Sequence, residues 1–226
     1  AEVPHVVLEL TDRLVVAKPA GWEVDQGDRP SGETDESHRL LSEFLRATLP
    51  ARQRPILEDT LHRRGLLHRL DVPSSGLILV AKSYEAYYDL LLQLASGLVI
   101  RDYVALCRGF ISPELSEIEE RVDWPAGSSV PGKVGKLGKP SLTRLKVLAH
   151  CVRNADDSPW SLVAIRILTG RRHQIRVHLA HIGHPVACDG KYTDTAMFLS
   201  DMEWCPRNFL HRHRLAFEAG AEGDAV

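Results

Sequence analysis

Apolar and polar residues alternate along this chain in short blocks, and most of the blocks have strand length. Leu14 to Ala17 is an apolar run that stops at Lys18-Pro19-Ala20-Gly21, which predicts a strand entering a turn. Gly76 to Lys82 (GLILVAK) predicts a buried strand. Ile100 to Cys107, Leu142 to Leu148 and Trp160 to Leu168 predict three more, the last with Val163, Ile165 and Ile167 on one face. Phe209 to Phe217 predicts a late strand. Helical spacing is rarer. Leu40, Leu41, Phe44 and Leu45 predict a helix that Pro50 ends. Ser83 is placed to cap a second helix, with Glu85 in its first turn and Gly97 beyond its end. Ile175, Leu179 and Ile182 predict a third, closed by Gly183 and Pro185. Residues 25–37 are polar and rich in Gly, Pro and Ser, as in a mobile loop, and the tail from Glu218 is expected to fray.

Strands outnumber helices and do not alternate regularly with them, so the expected class is α+β rather than a doubly wound sheet. There is no repeat and no clear internal boundary, so residues 1–226 are expected to form a single domain. Composition agrees: 44% hydrophobic and 26% charged residues exclude a disordered chain, a collagen and a disulfide scaffold. No apolar run nears the roughly 20 residues of a membrane span, so no membrane partner is expected. The opening Ala-Glu-Val-Pro-His has neither the basic patch nor the apolar stretch of a signal peptide, and an initial Ala suits a piece of a longer chain. The net charge of −2 excludes a basic nucleic-acid coat, so any RNA or DNA binding must rest on a local patch. Cys107, Cys151, Cys188 and Cys205 show no paired spacing, which points to reduced thiols in a reducing compartment: cytoplasm, nucleus or organelle.

Two stretches are dense in chemistry. In Leu67-His68-Arg69-Leu70-Asp71-Val72-Pro73-Ser74-Ser75-Gly76 a single carboxylate sits in a turn before a buried strand. Such a turn holds an Asp at the lip of a sheet, or Asp71 simply makes an Asx-turn with Ser74. The second stretch runs from Thr169 to Pro185 (TGRRHQIRVHLAHIGHP). It sets Arg171, Arg172 and Arg176 at or near a helix N-terminus, where cations are poorly placed for the helix dipole. That mismatch suggests an anionic ligand; the plainer alternative is a solvated basic helix end. His173, His178, His181 and His184 lack metal-site spacing beyond one i, i+3 pair, and packing or hydrogen bonding explains them more simply. Residues 132–146 carry Lys133, Lys136, Lys139, Arg144 and Lys146 with no acid, while acids gather at Glu114, Glu117, Glu119 and Glu120. Such a basic stretch suits a phosphate backbone, or is a solvated flexible loop.

Six segments in order resemble the RluA-type family of RNA pseudouridine synthases. VVAKPAGWEV resembles the family's opening strand and KPaG turn, and LHRLDVPSSGLILVAKS its HRLDxxTSGlllxAK signature. RDYVALCRG resembles KxYxAlvxG, and GKPSLTRLKVL resembles gKxaxTxfxvl. GRRHQIRVHLAHIGHPVACDGKY resembles GRtHQIRvHlaxxGhPixGDxxY, and FLHRHRLAF the closing LHAxxLxF. The resemblance implies a mixed, mostly antiparallel central sheet with flanking helices and an RNA-binding cleft. It implies isomerisation of uridine to pseudouridine within RNA, with no metal and no organic cofactor. It implies that Asp71 is the catalytic aspartate, that Tyr103 stacks on the target base, and that Arg176 pairs with Asp71 and keeps it ionised. Arg69 would probe or replace the flipped nucleotide, and Arg171, Arg172, Lys133, Lys136 and Lys139 would contact RNA.

Three departures bear on RNA contact more than on catalysis. Asp102 stands where the family prefers Lys, Cys188 where it has Gly, and Arg172 where it has Thr or Ser. About ten residues precede the first motif, too few for an S4-like RNA-binding domain, so selectivity would come from the catalytic domain, flanking sequence or a partner. The expected partner is RNA (ribosomal, transfer or messenger) bound by a monomer, alone or within a larger assembly. A catalytically silent RNA-binding or chaperone protein of the same fold is the alternative, and a histidine-based metal hydrolase is a more distant one.

Overall fold

The computed structural model describes residues 2–25, 39–49, 54–124 and 130–219. The predicted loop therefore lies outside the described residues beyond Asp25, as does Pro50. The chain divides into two compact units, Ala1–Arg101 with His213–Val226, and Asp102–Arg212.

In the first unit β1 (His5–Glu9) pairs antiparallel with β2 (Arg13–Lys18). Two-residue strands β3 (Trp22–Glu23) and β4 (Arg39–Leu40) pair in parallel and lead into α1 (Leu41–Thr48). Next, β5 (Ser75–Ala81) lies antiparallel to β2, with Leu14 opposite Val80 and Val16 opposite Ile78. Those four side chains are fully buried, as a continuous apolar run requires of a strand covered on both faces. In α2 (Tyr84–Ala95) the predicted cap is present: Ser83 Oγ accepts from the Ala86 amide at 3.2 Å, and Gly97 beyond the end has φ +74°.

The second unit contains the larger set of paired strands. β6 (Ile100–Arg108) alternates buried and half-exposed residues, and its inward face carries Tyr103, Ala105 and Cys107. β7 (Glu117–Asp123), β8 (Lys133–Val134), β9 (Lys139–Arg153) and β10 (Ser158–Ile167) follow. Then come α3 (Gln174–His181), α4 (Thr195–Met202) and β11 (Leu210–Ala216). The order is β11-β6-β10-β9-β7-β8, and β6–β10, β10–β9, β9–β7 and β7–β8 are all antiparallel. Trp160, Ala187, Cys188 and Cys205 form a buried cluster against Leu106, Phe198 and Trp204. The fold is thus α+β, as the pattern predicted, with the mixed and mostly antiparallel sheet and flanking helices that the resemblance implied.

Four differences from the pattern have physical causes. The strand predicted at 142–148 runs from Lys139 to Arg153, because pairing with β10 continues through polar residues. β7 has only Ile118 and Val122 buried among acids, so its sequence carries no strand signal, yet it lies between β9 and β8. The acidic and basic stretches, separate in sequence, are therefore neighbours in space, with Asp123 opposite Lys133. Lastly, Glu218 does not fray: its carbonyl accepts from Arg13 Nη1 (2.9 Å) and Gln93 Nε2 (3.1 Å), and its amide donates to Gln93 Oε1 (2.9 Å). The tail from residue 220 lies outside the described residues.

Candidate active site

In the first unit the Asp71 turn is closed by the Ser74 amide donating to the Asp71 carbonyl at 3.0 Å. The KPAG turn locks onto it. The Gly21 amide donates to the Val72 carbonyl at 2.8 Å, and Gly21 has φ +81°, a conformation that excludes most other residues. Lys18, 1% exposed, directs its ammonium at the carbonyls of Trp22 (2.7 Å), Pro19 (3.0 Å) and Val72 (3.4 Å). A buried cation needs such acceptors, and here they come from both turns. Ser74 and Ser75 are buried, while Asp71 is half-exposed. Three residues ahead of Asp71, the imidazole Nε2 of buried His68 accepts from the Leu79 amide at 3.3 Å and ties the approach to β5. Arg69 is half-exposed between them.

The second unit holds Tyr103, Arg176 and the basic residues. Tyr103 is 3% exposed, and its hydroxyl accepts from Arg212 Nε at 2.9 Å and Nη2 at 2.5 Å. Arg212, itself buried, occupies the position that is Ala in LHAxxLxF, and nothing local in the sequence marked it. Arg176 is buried in the first turn of α3 and makes a bidentate pair with Asp189: Nε to Oδ2 at 2.7 Å and Nη2 to Oδ1 at 2.6 Å. This pair corrects the expected mismatch with the helix dipole, since Asp189 neutralises the one arginine inside α3. Arg171 and Arg172 lie before the helix, whose N-cap is His173 in the left-handed region (φ +52°). Asp71 stands in one unit, Tyr103 and Arg176 in the other.

Gln174 fixes the approach to α3. Its Oε1 accepts from Thr169 Oγ1 (2.8 Å) and the Arg171 amide (3.1 Å); its Nε2 donates to the Leu142 carbonyl (3.1 Å) and Thr143 Oγ1 (3.0 Å). The exposed Arg171 guanidinium reaches the Pro140 carbonyl. Arg172 lies over the Trp124 ring, 4.2 Å from its centre. Lys133, Lys136 and Lys139 are all exposed, but the segment carrying them is built rather than loose. The Gly135 amide donates to the Arg121 carbonyl, and Gly138 approaches β7 so closely that a Cβ would lie 2.4 Å from the Val122 carbonyl carbon.

The departures also find explanations. Asp102 does not merely delete a positive charge: it receives a two-pronged contact from Arg166 directly across the β6–β10 ladder, at 2.7 and 2.8 Å. Cys188 has φ +54°, the conformation for which glycine is the usual choice, and its buried thiol is pushed up to about 11, mainly by burial. All four cysteines are free. Among the histidines, His173 Nδ1 meets the Tyr192 hydroxyl (3.0 Å) and His184 Nδ1 the Arg108 carbonyl (2.8 Å). His178 is fully buried in α3, and burial lowers its pKa below the ordinary 6.5. Among the described residues no group of three or more His, Cys, Asp or Glu converges as metal donors.

The family model described as RNA pseudouridylate synthase matches residues 12–181, which include Asp71, Tyr103 and Arg176. Ribosomal large subunit pseudouridine synthase C of Haemophilus ducreyi is 36% identical over 219 residues, covering 95% of this chain and 61% of that protein. Ribosomal large subunit pseudouridine synthase D of Nitrosomonas europaea is 34% identical over 221 residues, 94% of this chain and 58% of that protein. This chain thus spans about three fifths of the length of these curated relatives. Among solved structures, human RNA pseudouridylate synthase domain containing 1 superposes with a TM-score of 0.73 at 28% identity, over 100% of this chain and 82% of that one. By sequence and by fold, this chain belongs to the RNA pseudouridylate synthase family.

Proposed function

We propose that this chain isomerises specific uridines in RNA to pseudouridine, with both of its units acting as one catalytic domain. The observation that carries this reading is the family match over residues 12–181, a stretch that includes Asp71, Tyr103 and Arg176. Substrate and product have the same atoms and the same oxidation state, so the chemistry asks for a nucleophile or base and a place for the detached base to turn. The Asp71 carboxylate breaks the glycosidic bond, either by adding to C1′ or by removing the C2′ proton. Tyr103 supplies the surface on which uracil rotates before C5 bonds to C1′. By the motif resemblance Arg176 is the cation that favours the charged form of Asp71, and Asp189 holds that arginine by two hydrogen bonds. The target base must first leave its stack, a cost of a few kcal/mol that favours loops over duplex. Arg69 fills the space it vacates, and Arg171, Lys133, Lys136 and Lys139 engage phosphates. The two relatives are named for the ribosomal large subunit, so its RNA is the first substrate to test.

The decisive experiment maps pseudouridine by mass spectrometry in ribosomal, transfer and messenger RNA, with wild-type protein and with Asp71→Asn. The amide is nearly isosteric but neither adds to the sugar nor acts as a base. The expected result is loss of all product with the fold and most RNA affinity kept. Turnover by a clean Asp71→Asn protein would remove Asp71 from the mechanism, and a wild-type protein that binds RNA without product would be the silent RNA-binding alternative.

A further inference from the structure

The second unit contains a compact array of aromatic and cationic side chains built around Trp124, at the end of β7. The Arg172 guanidinium carbon lies over this ring at 4.2 Å, and Lys191 Nζ is 5.9 Å from the same centre. His173 meets the ring edge-on at 4.9 Å, and Gly132 packs so close that a Cβ there would lie 2.4 Å from Trp124 Cε3. Trp124 and Arg172 are both half-exposed. Around them stand exposed cations: Lys133, opposite the neighbouring Asp123 in the ladder, and Arg171, anchored on Pro140.

Resting on the RNA-modifying reading, we propose that Trp124 and Arg172 form a stacking site for an unpaired nucleobase of the RNA other than the target uridine. A guanidinium held over an indole is a preorganised planar cation, and planar cations and aromatic rings are the surfaces on which unpaired bases stack. The ring removes much of the rotational freedom a long arginine would otherwise lose on binding, so less of the stacking energy is spent on ordering. The surrounding Lys133, Lys191 and Arg171 suit the phosphates on either side of that base. A purely structural latch would need no cations beside it, and Arg172 replaces the Thr or Ser of the resembling motif, so this chain's own residue creates the pair. The stack thereby gives the chain a means of choosing RNA by an unpaired base besides the one it modifies.

The test separates base from phosphate with two probes: a fluorescent oligoadenylate 12-mer, and inorganic polyphosphate of similar charge as a competitor without bases. Arg172→Lys keeps the charge and removes the plane; Trp124→Leu removes the ring. Both are expected to weaken oligoadenylate binding about tenfold, within the range of a single stacked base, and to change polyphosphate affinity less than twofold. Trp124→Phe should recover most of the loss. On a modified RNA the same variants should raise KM and leave kcat near wild type. Equal weakening toward both probes, or wild-type oligoadenylate affinity in Arg172→Lys, would overturn the stacking site. If the variants' melting temperature drops while the ratio of the two affinities stays that of wild type, the pair is a latch and the proposal fails. Absence of pseudouridine from every RNA would instead defeat the isomerase reading, and the two-probe comparison would still decide the stack.

Discussion

The turn that presents Asp71 and the block that presents Arg176 are held by different means. Around Asp71, the turn is tied down through backbone atoms: Ser74 to Asp71, Gly21 to Val72, and Lys18 to three carbonyls. Around Arg176 the bonds join side chains: Arg176 to Asp189, Gln174 to Thr169 and Thr143, His173 to Tyr192. A backbone-held turn is set by where the chain can bend, so Ser74 replaces the usual Thr without disturbing it. A side-chain-held block depends on particular partners, and its departures, Arg172 and Cys188, each require a compensating neighbour, Trp124 or Met202.

Removing one side of the Arg176 pair should do the most damage. Asp189→Asn removes the carboxylate charge from a buried bidentate pair, and breaking such a pair costs about 3–5 kcal/mol. Urea unfolding should show it, and a cost near zero would mean that α3 does not depend on the pair. Arg176→Met strands Asp189 in the same way, so its effect on rate must be read beside its effect on stability. Lys18→Met should come next, at about 2–3 kcal/mol for the Trp22 and Pro19 carbonyls losing their ammonium donor. Its activity should fall further than its stability, since the Asp71 turn loses one of its ties to the KPAG turn and keeps the Gly21–Val72 bond; equal falls would break the comparison on that side.

A smaller effect concerns acid. Burial keeps His178 neutral and lowers its pKa, so its contribution to stability is present above the unfolded value near 6.5 and is lost as pH falls from there through the folded value. His178→Leu should flatten the fall in unfolding free energy between pH 7 and 5, and an unchanged profile would assign the acid sensitivity elsewhere. The smallest net change is expected for Cys188→Gly. Relief of the left-handed backbone, about 1–2 kcal/mol, opposes the loss of a buried side chain beside Met202 and of chain rigidity. Thermal unfolding should move by only a few degrees, and a large drop would show that the thiol's packing outweighs its strain.

Much of the fold was legible because it rests on local pattern. The GLILVAK run, the alternation at 160–167 and the Ser83 cap each specify an element without reference to distant residues. What failed was β7, whose two buried apolar residues stand among four acids and an arginine; only the strands on either side make it a strand. Of the candidate residues, Asp71, Tyr103 and Arg176 came from motifs. Lys18 and Asp189, which lie beside or brace them, carried signals only as letters in those motifs, and Arg212, standing where its motif has Ala, carried none, because a brace is defined by its partner.

By itself the sequence determined the class of the protein, its turns and the candidate residues, since capping, periodicity and motif order are properties of neighbouring positions. Only the tertiary structure decided which charges are neutralised. Arg176 reads as an excess cation until Asp189 folds beside it, Asp102 reads as a lost cation until Arg166 faces it across the ladder, and Arg172 reads as one more basic residue until Trp124 lies beneath it. Each partner is between 13 and 64 residues away along the chain. The strength of an ion pair or a cation–π contact depends on separation in space and on burial, and neither quantity is written in the order of the residues.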